Sequence, residues 1–190
     1  NGICVTGGTY TGGMSGMIQW KTNDSAYRTT IKDSKIVSNQ TYSAGISGSE
    51  NDRCNEPGYF TVDNCYISAR SNAAGILAAS KQAWTRWYMV VKNSTIETTV
   101  GERAAGICPS DVGFRYCVVD NCTITAATNH AGGLGNGTLR YIMYNLVKGC
   151  TITAKGNYAG GIVSNFTYGG NTQMGYNTVV DTTVTATGNY

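Results

Sequence analysis

Apolar residues recur along this chain in columns, not in isolated runs. Counting from a tyrosine as position zero, Tyr59, Val62, Cys65 and Ile67 stand at positions 0, 3, 6 and 8. The same positions hold Tyr88, Val91, Ser94 and Ile96, then Tyr116, Val119, Cys122 and Ile124, then Tyr144, Val147, Cys150 and Ile152, and finally Tyr176, Val179, Thr182 and Val184. An earlier copy reads Arg28, Ile31, Ser34 and Ile36. Within "CTIT" (122–125) the two-residue alternation of a strand aims Cys122 and Ile124 inward, and Thr123 and Thr125 outward. A glycine preceded by a small residue and followed by an apolar one closes each unit, at Gly13, Gly45, Gly75, Gly106, Gly133 and Gly161.

Self-similarity at a period of some tens of residues marks a repeat architecture. Counted from Ile3, the isoleucine column advances by 33, 31, 29, 28, 28 and 32 residues, and the length varies only after the glycine, as in 47–58, or in the turn before it. A fixed core with variable turns suits a coil whose short strands pair in parallel with their copies above and below, about 4.8 Å apart. The predicted fold is all-β: a right-handed parallel β-helix, with three strands per turn and about six coils of 28–33 residues, spanning 1–190 as one domain. Shorter hexapeptide periods and the LxxLxL run of leucine-rich repeats are absent.

Two columns check the register. Position 4 reads Lys32, Asp63, Lys92, Asp120 and Lys148, alternating in sign so that stacked neighbours attract. Position 5 reads Asp33, Asn64, Asn93, Asn121, Gly149 and Asp181, residues that tolerate a left-handed turn. The glycines mark tight corners or places where backbones pass too closely for a Cβ.

Composition agrees. Of 190 residues 25 are Gly, 13 Tyr and only 2 Pro, and 13% are charged. The net charge of +3 comes without a basic run, so no nucleic-acid footprint is expected, and no apolar stretch is long enough for a membrane span. The seven cysteines follow the repeat and read as buried filler; a disulfide framework fits less well, and no CxxC or Cys/His pair points to zinc. The first residues already read as a strand and the last ones stop where the glycine corner should follow. The expectation is a piece of a larger array, or a unit that stacks end to end.

Candidate chemistry is sparse. A β-helix lyase needs converging carboxylates for Ca²⁺ plus a basic residue, but the acids here are scattered. The best cluster, Glu50, Asp52 and Glu56 in one loop, is a weak Ca²⁺ candidate. His130, the single histidine, shares a column with Tyr10, Tyr42, Asn72, Arg103 and Tyr158 and reads as a ladder residue, not a general base. No catalytic residue or cofactor is assigned. For binding, Tyr59, Tyr88, Tyr116, Tyr144 and Tyr176, with Trp84 and Trp87 nearby, form either an outward aromatic stripe for sugar rings or a partner, or an ordinary corner ladder. A third pattern, Thr95, Thr123, Thr151 and Thr183 with Thr125, Thr153 and Thr185, is similar to the Thr-x-Thr ladders of ice-binding solenoids, but "KIV" (35–37) and "YIS" (66–68) break it.

With "GMSG" (13–16) and "GISG" (45–48), and more loosely "AGGLG" (131–135) and "AGGIV" (159–163), the chain resembles the glycine-punctuated, GLUG-type repeats of bacterial β-helix adhesins. "GILA" (75–78) and "GICP" (106–109) lack the second glycine. The resemblance implies an extracellular or cell-surface, adhesive setting and brings no catalytic residue. The expected function is a structural or adhesive module that self-associates end to end. The alternative is a β-helix that binds or cleaves carbohydrate, with glycans as partners.

Overall fold

A computed structural model describes residues 2–18, 28–50, 59–80, 85–137, 141–166 and 173–188. These residues are all-β, with no helix among them, and their parallel sheets stack as a β-solenoid of about five turns. One sheet has seven strands: Cys4–Gly7, Lys35–Ser38, Tyr66–Ala69, Thr95–Thr98, Thr123–Ala126, Thr151–Ala154 and Thr183–Ala186. A six-stranded sheet, from Arg28–Lys32 to Thr178–Val180, precedes it in each coil, and another, from Tyr10–Gly12 to Ala159–Gly160, follows it.

The inner columns make the core. Ile36 pairs with Ile67, Ile67 with Ile96, Ile96 with Ile124 and Ile124 with Ile152, and all are fully buried. The valine column Val62, Val91, Val119 and Val147 is buried in the same way one sheet earlier. Each such side chain contributes about 1.5–3 kcal/mol of burial, so every coil is held chiefly by contacts with its neighbours. The outward partners Thr123 and Thr151 are exposed, as strand alternation requires.

Two expectations are corrected. The isoleucine column begins at Val5, which pairs with Ile36, and not at Ile3, which is exposed. Ile3 and Val5 lie on the same face of an extended strand, so alternation does not separate them. Nor are there only three strands per turn: residues 85–111 carry five, namely Thr85–Trp87, Val90–Lys92, Thr95–Thr98, Arg103–Ala105 and Cys108–Asp111. The extra breaks come from left-handed corner residues. Asp33, Asn64, Asn93, Asn121, Gly149 and Asp181 all have φ between 50° and 61°, as do Tyr88, Tyr116, Tyr144 and Tyr176 (54° to 59°). A single left-handed residue turns the chain between two adjoining strands and ends each after three or four residues.

Candidate binding surface

The tyrosine column stands on one of these corners. Tyr59 stacks on Tyr88, Tyr88 on Tyr116, Tyr116 on Tyr144 and Tyr144 on Tyr176, with ring centroids 4.9–5.2 Å apart and planes within 12° of parallel. The spacing is that of the coils themselves, so each ring face is covered by the next ring. Tyr116 and Tyr144 remain 41% and 43% exposed through their edges, while Tyr176 is 75% exposed. The Arg28 guanidinium lies 5.2 Å from the Tyr59 ring centre and covers the other end. Stripe and ladder are therefore one object: the rings stack at a corner and present their edges outward.

Trp87 sits beside this ladder, tilted against Tyr88 and Tyr116 at 6.1 and 6.2 Å. Its face is covered by the guanidinium of Arg115, 5.1 Å from the Trp87 ring and 4.6 Å from that of Tyr141. Trp84 lies outside the described residues, as do Asp52 and Glu56 of the proposed Ca²⁺ loop; Glu50 closes the strand Ser47–Glu50. Among the described residues no group of three or more His, Cys, Asp or Glu is placed to hold a metal ion.

A second surface follows the asparagine corner. Asn64 Nδ2 donates to Asp33 Oδ1 (2.7 Å), Asn93 Nδ2 to Asp63 Oδ1 (2.9 Å) and Asn121 Nδ2 to Asn93 Oδ1 (3.0 Å). Asp63 lies between two lysines of the alternating column, 3.7 Å from Lys32 and 3.4 Å from Lys92. The Asn93 amide foremost, then the two cations, hold its carboxyl below the usual carboxylate value against the opposing effect of burial. A shallow groove of about 480 Å³ runs along this corner and is lined in part by Asp33, Lys35, Asn64, Tyr66, Asn93 and Thr95.

His130 occupies its expected column between Arg103 and Tyr158 and stacks on Tyr158 at 4.8 Å. Burial, and then the Arg103 cation, push its pKa below the usual histidine value. Its Nδ1 is 3.5 Å from Ser164 Oγ, which donates to Asn136 Oδ1 at 3.1 Å. The threonines form two outward rows, Thr95–Thr123–Thr151–Thr183 and Thr125–Thr153–Thr185; the first gives way to Tyr66 and Lys35, and the second to Glu97, Ser68 and Val37.

Sequence reasoning missed an amide pair, the buried Asn145 on the half-buried Asn177. The column one residue after the tyrosines reads Phe60, Met89, Cys117, Asn145 and Asn177. Asn145 accepts from the Cys117 N–H (2.9 Å) and donates from Nδ2 to the Phe114 carbonyl (3.0 Å) and Asn177 Oδ1 (2.9 Å); Asn177 Nδ2 donates to the Ile142 carbonyl. The signal was two asparagines in succession in an otherwise apolar column. The cysteines Cys65, Cys108, Cys117, Cys122 and Cys150 are buried, whereas Cys4 is exposed; Cys54 lies outside the described residues. Burial pushes the Cys117 thiol up to about 12.

Among the described residues no helix is long and apolar enough to cross a membrane. No family model, curated protein or solved structure matches this chain.

Proposed function

We propose that this chain is a structural and adhesive solenoid module of the extracellular space that self-associates end to end. The observation that carries this reading is the contrast between middle and end coils. Ile152 and Val147 are fully buried, yet their counterparts one coil on, Val184 and Val179, are 40% and 44% exposed. Among the described residues the strands Cys4–Gly7 and Thr183–Ala186 each pair on one side only, leaving a row of free N–H and C=O groups at either end. Such an edge over an apolar interior is a template for another strand in the same register. The extracellular setting rests on the resemblance of "GMSG" and "GISG" to adhesin repeats.

Electron microscopy of the purified chain over a range of concentrations tests this. End-on rods that lengthen with concentration, and shorten when Val179 and Val184 are both replaced by Lys, support it. Monomers at every concentration, with glycans retained on an array, favour the alternative of a carbohydrate-binding solenoid. What supports that alternative is the exposed edge of the tyrosine ladder and the polar groove beside Asn64 and Asn93. Hydroxyls and amides there offer hydrogen bonds to sugar, while the stacked ring faces are already occupied.

A further inference from the structure

Among the described residues, Cys122 and Cys150 form the single cysteine pair at equivalent positions on adjacent coils. The flanking rungs of their column carry Ser94 and Thr182, and Cys65 lies between the rungs of Ser34 and Ser94. Thr123 pairs with Thr151, and the Thr151 N–H donates to the Cys122 carbonyl at 2.9 Å. The two Cα atoms are thus one strand spacing apart, about 4.8 Å, inside the span of about 4.4–6.8 Å that disulfides bridge.

Both side chains point inward and are 2% exposed. The Cys150 sulfur lies 3.1 Å from the Lys148 carbonyl oxygen of its own coil and 3.6 Å from the Val119 carbonyl oxygen of the coil that carries Cys122. The influence of the two neighbouring thiols on each other draws the Cys150 thiol down, against the opposing effect of burial, and pushes Cys122 up, so the first thiolate forms on Cys150.

We propose that Cys122 and Cys150 are an oxidation site at which a peroxide closes a disulfide that staples two adjacent coils. The Cys150 thiolate attacks one oxygen of hydrogen peroxide and the O–O bond breaks. The departing hydroxide takes up the proton that Cys150 released and becomes water. The Cys122 sulfur then attacks the new sulfenic sulfur, the S–O bond breaks, and the hydroxyl leaves with the Cys122 proton as a second water. Two thiols and one peroxide thus give one disulfide and two waters. Because both sulfurs are covered, the reaction waits on local opening, and exposed Cys4 reacts first.

The test is peroxide treatment of the full chain, followed by digestion without reductant, mass spectrometry and thermal unfolding. The expected result is a 122–150 linkage and a melting temperature raised by about 5–10 °C that reductant reverses. Cys150→Ser removes both and Cys65→Ser neither; serine is native to this column at Ser34 and Ser94, so both variants are expected to fold. The proposal is overturned if both residues stay reduced while Cys4 oxidises, if the links formed involve Cys54, Cys65 or Cys117 instead, or if the thermal gain persists in Cys150→Ser.

Discussion

Gly106 faces Val119 across the interior so closely that a Cβ on the glycine would lie 2.7 Å from a Val119 methyl and 2.0 Å from the carbonyl oxygen of Gly133 in the next coil. The relationship repeats with Gly75 against Val91 and Gly45 against Val62, so the glycine column exists to let backbone and valine meet. Gly106→Ala forces an overpacked interior with no flexible side chain able to yield, and is expected to destabilise the protein by about 2–3 kcal/mol. Gly8→Ala, where a Cβ meets nothing within 4 Å, should stay within about 0.5 kcal/mol of the parent in urea unfolding.

Tyrosine in the left-handed region carries strain of roughly 1–2 kcal/mol, yet the chain adopts it at Tyr88, Tyr116, Tyr144 and Tyr176. Stacking offsets it, at about 0.5–1.5 kcal/mol per ring pair beyond the area buried. Tyr116→Asn relieves strain but loses two stacks, and a net loss of about 1–2 kcal/mol is expected. Tyr176→Asn loses a single stack at an exposed position and should be close to neutral. Chemical unfolding of both variants checks the difference, and near-ultraviolet circular dichroism reports the broken ladder in Tyr116→Asn.

Asp63 gives the stability a pH dependence. Its folded pKa lies below the ordinary 3.8, so its contribution is present above about pH 4 and is lost as the pH falls through the depressed folded value. Asp63→Asn should flatten that part of the stability profile by about 0.2–1 kcal/mol, the range of an exposed ion pair, and added salt should shrink the difference between the proteins. Unfolding midpoints between pH 2 and 6 measure it.

Asn145 is buried with every polar atom engaged. Asn145→Ala strands the Cys117 N–H and the Phe114 carbonyl away from water, and a loss of about 2–3 kcal/mol is expected. The Cys117 amide should then exchange its hydrogen markedly faster, which hydrogen-exchange mass spectrometry detects.

Most of the fold could be read from the chain because a solenoid writes its contacts into its own repetition: Ile96, Ile124 and Ile152 touch because they are copies. The left-handed column was legible as well, since Asn and Asp declare that conformation at Asn64, Asn93, Asn121 and Asp181. Tyrosine does not, so the second corner at Tyr88 and Tyr116 and the additional strands it creates stayed hidden. The start of the first coil at Val5 instead of Ile3 was equally hidden, because a slip of two residues preserves which side chains face inward. For the candidate surface, the columns showed which residues stack but not the ring orientation, and the orientation decides that edges and not faces are on offer. Arg115 on Trp87 was invisible, being a contact between neighbouring coils at positions without a repeating residue type.

Scalar couplings across hydrogen bonds measured by NMR test the stacking of copies most directly. The account predicts couplings from the Thr123 amide nitrogen to the Ser94 carbonyl carbon, from Thr151 to Cys122 and from Thr183 to Cys150, each one coil back along the chain. Couplings from those amides to carbonyls a few residues away, or to residues out of register by a rung, would contradict it.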